Sequence, residues 1–235
     1  MNYIILNGKS SNTITGLLIQ SISPITKPKI RTQIEEIDGR DGDIVTKLGY
    51  SAYDKEIKIG LFGNYDIDDV ISYFDTSGIV IFSNEPDKYY KFEILEHIDF
   101  ERLIRFKTAK VVMHVQPFKY SSLERKQVFE IDEETSIEVR NNGNCISKPK
   151  IRIEGTGIIN LSLNDYQVFV IDLSNNNEII IDTSLMEAYD ETSLLNRLVT
   201  GNYDNFSFKI GLNEISWSGT GEITQIEVEN YSRWI

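Results

Sequence analysis

The stretch IRTQIEEIDGRDGDIVTKLGYSAY, residues 30–53, decides how the first half of this chain is read. Two runs that mix β-branched and polar residues flank residues 37–45, where Gly39 and Gly42 can take the positive φ that a chain reversal requires. The pattern predicts a protruding hairpin whose arms are IRTQIEEI and IVTKLGYSAY. Arg40, held between the two glycines, would then be an exposed contact residue at the tip. Asp38, Asp41 and Asp43 imitate a calcium loop, but their D-x-x-D-x-D spacing and the missing terminal Glu break the EF-hand pattern. On spacing alone, an ordinary surface loop fits residues 39–42 equally well.

Outward from this hairpin the chain keeps a two-residue rhythm in Ile, Val, Phe and Tyr, which suits half-buried strands. Strands are expected at residues 3–6, 17–22, 55–62, 89–94, 103–113 and 126–131. In the second half they are expected at 137–140, 150–154, 158–163, 167–171, 179–182, 205–210, 213–217 and 223–228. One helix interrupts the series. Asp66 or Asp68 can cap it, Ile67, Val70, Ile71 and Phe74 line one face, and Gly78 closes it. A second helical turn fits residues 192–198, and a long irregular connection fits residues 184–202 equally well.

The pattern changes after MHVQPFKY, residues 113–120, where Pro117 is expected to end a long strand. This sets two domains, residues 1–130 and 131–235, the first a β-sandwich or barrel with one helix and the second a β-sandwich. NNGN, EGTG, SNNN and SGTG read as its tight turns. The net charge of −12 is uneven, with 17 basic against 19 acidic residues up to residue 130 and 7 against 17 beyond it. An acidic half suits a solvated, self-repelling outer face. Such a chain has no basic surface for a phosphate backbone, so no specific nucleic-acid binding is expected. No apolar run is long enough for a membrane span, and the opening MNYIILNGKSSN has no secretory pattern, so a soluble cytoplasmic product is expected.

Residues for catalysis are sparse. His97 and His114 each stand in strand-like runs without metal-ligand neighbours, and the lone Cys145 lies in a turn. No G-x-S-x-G elbow or phosphate-cradling glycine loop occurs, and pairs such as Asp165 with Asp172 read as solvated acids. The expectation is a protein without catalytic residues, metal or cofactor.

Short signatures in a fixed order go further. They are Leu6-Asn7-Gly8, Ser23-Pro24-Ile25 with Pro28, the IDGRDG stretch at 37–42, Phe82-Ser83-Asn84-Glu85-Pro86 with Tyr89-Tyr90, and Gln116-Pro117-Phe118-Lys119-Tyr120. Asn141-Asn142-Gly143-Asn144, Lys148-Pro149-Lys150-Ile151, Gly211-Leu212-Asn213-Glu214-Ile215 and Ser232-Arg233-Trp234 follow. In this order the chain resembles the distal tail (Dit) family of siphophage and prophage baseplates. The resemblance implies a virion structural protein, assembled in the bacterial cytoplasm and placed at the tail tip. Its first domain would form a homo-hexameric ring, with residues 35–50 as an arm around the neighbouring subunit and Gly39, Arg40, Asp41 and Gly42 at the interface. Its second domain would be a galectin-like sandwich. Partners would be the tail tube protein, a tail-associated lysin or tail fibre hub, and receptor-binding or other baseplate proteins, with no membrane among them. The alternative is a carbohydrate-binding module contacting host wall polysaccharide, although Trp217 and Trp234 read as core or interface anchors rather than a sugar platform.

Overall fold

The computed structural model describes residues 2–124, 126–229 and 231–235. The chain is mainly β and divides into two compact units, Met1–Leu123 and Glu124–Trp234. In the first unit the elements run β1 (Ile4–Leu6), β2 (Lys9–Ser10), β3 (Leu17–Ile22), β4 (Ile30–Glu36), β5 (Asp43–Tyr50), β6 (Tyr53–Leu61), α1 (Ile67–Phe74), β7 (Gly78–Phe82), β8 (Lys88–Glu93), α2 (Phe100–Phe106) and β9 (Thr108–Ser121). Seven of these strands form one antiparallel sheet in the order β2-β1-β7-β8-β9-β6-β3. Asn7 and Gly8, both at positive φ, make the two-residue turn between β1 and β2.

Alternation decides what the sheet buries. Ile57 and Ile59 of β6 and Val111, Met113 and Val115 of β9 pack with Phe82, Tyr90 and Leu103 in one core. Helix α1 is capped by Asp66, whose side chain accepts from the Asp68 amide, and buries Val70, Tyr73 and Phe74. Ile71, expected on that face, is left partly exposed. Tyr73 takes its place because its hydroxyl can donate to the Ile4 and Lys9 carbonyls, at 3.2 and 3.1 Å. Gly78 does not close the helix, which ends at Asp75. It opens β7 beside the Asn7 side chain, where a Cβ would lie 2.3 Å from Asn7 Oδ1.

Helix α2 corrects the reading of residues 103–113 as one strand. Asp99 accepts a hydrogen bond from the Arg102 amide as an N-cap, Leu103 is buried, and Lys107 ends the helix in the left-handed region before β9 begins. Pro117 does not end β9 either. β9 pairs with β6 only up to Val115, and the β8 pairing shifts register between Tyr90 and Phe92, so the missing amide falls at an irregularity.

The second unit contains β10 (Gln127–Glu130), β11 (Ser136–Asn141), β12 (Lys150–Leu163), β13 (Tyr166–Leu173), β14 (Glu178–Asp182), β15 (Glu187–Tyr189), β16 (Val199–Gly201), β17 (Gly211–Gly219) and β18 (Glu222–Glu229). Strand β10 pairs with β18, so it belongs here and not with residues 1–130. The two strands expected at 150–154 and 158–163 are one, and it serves two sheets. Its first half lies between β18 and β14, and its second half lies between β17 and β13. EGTG is therefore not a turn but the corner where β12 changes sheet, against the SGTG turn of β17 and β18. A Cβ on Gly155 would lie 2.2 Å from the Glu222 carbonyl oxygen, and one on Gly221 would lie 2.3 Å from that of Thr156. Inward residues of both sheets, including Ile151, Ile153, Leu161, Phe169, Ile171, Ile179, Ile215 and Ile226, share one core. Residues 205–210 form no strand. A 3-10 turn at Tyr203–Asn205 instead delivers Phe206 and Phe208 into that core. Among the described residues no helix is long and apolar enough to cross a membrane.

Candidate assembly arm and its anchor

Strands β4 and β5 form a two-stranded ribbon hydrogen-bonded to neither larger sheet. Ile34 pairs with Val45 and Glu35 with Ile44, and the register slips between Arg31 and Thr32, leaving Leu48 without an opposite residue. Almost every side chain is exposed on both faces, including Ile34 at 58%, Val45 at 54% and Leu48 at 53%. Gly39, Arg40, Asp41 and Gly42 lie together at the exposed tip. There the Arg40 amide donates to the Ile37 carbonyl at 3.1 Å. Gly39 and Gly42 have φ of +80° and +79°, and a Cβ on either would meet no atom within 4 Å, so conformation and not space demands glycine.

At the other end, residues from separate signatures meet in a buried polar cluster that sequence reasoning missed. Lys119 Nζ donates to Glu85 Oε1 at 2.8 Å, and the Tyr90 hydroxyl donates to the other carboxylate oxygen of Glu85. Lys55 is 1% exposed. Its ammonium donates to the Pro24 carbonyl at 3.1 Å and lies 5.1 and 5.3 Å from the ring centres of Phe82 and Tyr90. Burial pulls the Lys55 pKa down, Glu85 pushes it up and Lys119 lowers it. Burial, with Glu85 beside them, raises the pKa of Tyr53 and Tyr90. The only legible signal was the presence of Glu85, Tyr90 and Lys119 in two of the quoted signatures.

A matching knot closes the second unit. The Asn142 amide donates to Ser232 Oγ at 2.9 Å and Ser147 Oγ to the Tyr231 carbonyl at 2.7 Å. A Cβ on Gly143 would lie 1.9 Å from the Arg233 carbonyl oxygen. Fully buried Asn213 satisfies its whole amide, accepting from the Lys209 amide and from Asn164 Nδ2, and donating to the Lys209 and Gly211 carbonyls. On the outer surface Arg152 is ion-paired with Glu154, Glu178 and Glu227.

The residues weighed for chemistry are dispersed. His114 Nδ1 lies 2.8 Å from Asp54 Oδ1 at the surface, and burial raises the pKa of the Cys145 thiol. Among the described residues no three His, Cys, Asp or Glu side chains are grouped to hold a metal ion. Trp217 packs, partly buried, against the second core.

The fold is similar to that of chains in two solved phage structures. The SPP1 Dit (gp 19.1) protein, described as "a Paradigm of Hub Adsorption Apparatus in Gram-positive Infecting Phages", superposes with a TM-score of 0.63 at 16% identity over 100% of both chains. A chain of the phage P2 baseplate in its activated conformation with Ca superposes with a TM-score of 0.53 at 11% identity, covering 100% of this chain and 98% of that one. No protein-family model and no curated protein matches the sequence.

Proposed function

We propose that this chain is a structural hub of a phage baseplate, located at the virion tail tip, whose first unit closes into a hexameric ring. Each arm lies on the neighbouring subunit. The second unit, a galectin-like module in this reading, offers docking surface to tail tube, lysin or fibre hub, and receptor-binding proteins. The protein acts by geometry, without catalysis. The end-to-end likeness in fold to the SPP1 Dit protein supports this reading.

The observation that carries it is the arm. An isolated two-stranded ribbon is marginal in water, yet this one holds Ile34, Ile37, Val45 and Leu48 open to solvent. A second copy laid against it removes that apolar surface from water. Because the arm and its acceptor are different surfaces, the contact is heterologous and repeats around an axis until it closes. Light scattering coupled to size exclusion on the full chain tests this. A species near six or twelve times the 27.0 kDa chain mass is expected, and a strict monomer at high concentration, alone and with tail partners, would count against it.

A further inference from the structure

We propose that the buried cluster of Lys55, Glu85, Tyr90 and Lys119 is an anchor that sets the direction in which the arm leaves the first unit. The argument starts from where the arm is rooted. Its incoming root runs from Ser23 and Pro24 to β4. Lys55 holds the Pro24 carbonyl, the Glu56 carbonyl accepts from both the Ser23 amide and Oγ, and Asn84 Nδ2 donates to the Ser23 carbonyl. Its outgoing root is Tyr50 to Tyr53. The Ser51 amide donates to the Lys29 carbonyl at 2.8 Å, Tyr50 stands edge-on to Phe118 at 5.7 Å, and Tyr53 opens β6 two residues before Lys55.

Lys55 thus ties the incoming root to the cluster, while the outgoing root lies on β9 at Phe118 and runs into β6, the two strands that carry Lys119 and Lys55. Burying two ammonium groups and a carboxylate costs desolvation, and an apolar packing of equal volume would hold the domain together as well. Hydrogen bonds to fixed lone pairs add direction, which apolar contacts lack. The ribbon is hydrogen-bonded to neither larger sheet, so its direction is set where its roots meet the first unit, and six copies can close a ring only if every arm leaves at one angle. This consequence rests on the hub reading, but the anchoring does not.

The test places spin labels at Arg40→Cys and Ser72→Cys in a Cys145→Ser full-length chain, diluted into unlabelled protein so that only distances within one chain are read. The parent should give one narrow tip-to-body distance. Lys55→Met should broaden it. The fourfold change Lys55→Met, Glu85→Met, Tyr90→Phe and Lys119→Met should broaden it too, with circular dichroism and melting of the unit retained, because the replacement is apolar throughout. A distribution as narrow as the parent's in the folded fourfold variant overturns the proposal. Ring mass measured on the same samples separates the two readings. Loss of the ring together with broadening supports both, whereas a parent that never forms rings refutes the hub while the distance still decides the anchor.

Discussion

Replacing Ile34 and Val45 by serine should dismantle the proposed ring and leave each subunit folded. The two residues form a cross-strand pair on one face of the arm and are 58% and 54% exposed. Burying a whole Ile or Val side chain is worth roughly 1.5–3 kcal/mol, so covering the exposed half is worth about 1 kcal/mol apiece. The double substitution therefore removes about 2 kcal/mol from every arm contact, which is roughly 30-fold in affinity, repeated at each joint of the ring. Neither residue belongs to the seven-stranded core, and exposed positions change stability by only about 0.5 kcal/mol. Mass photometry along a dilution series should show rings dissociating at a concentration about 30-fold or more above the parent, with an unchanged melting transition. Rings that persist to the same dilution would refute the reasoning. So would a fall in the melting temperature of the isolated subunit, because the side chains would then be holding the domain and not its neighbour.

Gly39→Ala and Gly42→Ala each force a side chain into the left-handed region at a cost of about 1–2 kcal/mol. Amide exchange should rise in β5 and stay level in β6 and β9. Asn213→Ala removes three part-buried hydrogen bonds, with the Lys209 amide and the Lys209 and Gly211 carbonyls, at about 1 kcal/mol each, so urea titration of the second unit should show about 3 kcal/mol less stability, with the first unit unaffected. Tyr73 and Tyr90 are buried with their pKa raised above the usual value, so the folded state holds protons that the unfolded state releases. Their stabilisation is complete below about pH 10 and declines above it by roughly 1.4 kcal/mol per pH unit for each residue, until the folded value is passed. Alkaline melts should fall less steeply for Tyr73→Phe than for the parent, and equal slopes would contradict this account.

Where periodicity was strong, the sequence placed strands closely: β3 falls on the expected residues, and β18 differs by one residue at each end. Helix α2 was misread because Leu103 and Ile104 stand close before the apolar run of β9, and only the left-handed turn at Lys107 separates the helix from the strand. The hairpin was legible through its paired glycines, which impose positive φ locally. The anchor beneath it was not. Lys119 and Glu85 lie 34 residues apart, and Lys55 meets Pro24 across 31, so no local pattern records these contacts. Two lysines inside a core also contradict the ordinary sorting of charge to the surface. Their positions followed from the pairing of β9 with β6, which sets Lys55 opposite Met113, and with β8, which sets Lys119 opposite Tyr90, and single-sequence reasoning supplies neither.

Strand β12 carries a mechanical implication. Its 14 residues, at about 3.3 Å each, run roughly 46 Å as one covalent thread through the middle of both sheets. Tension on either sheet passes along that backbone into the other without crossing a loop. To give way, the strand must slide past β13, β14, β17 and β18, breaking many hydrogen bonds in shear at once rather than unzipping them singly. The second unit should therefore bear a pull along β12 better than one directed across its edge strands β10 or β16.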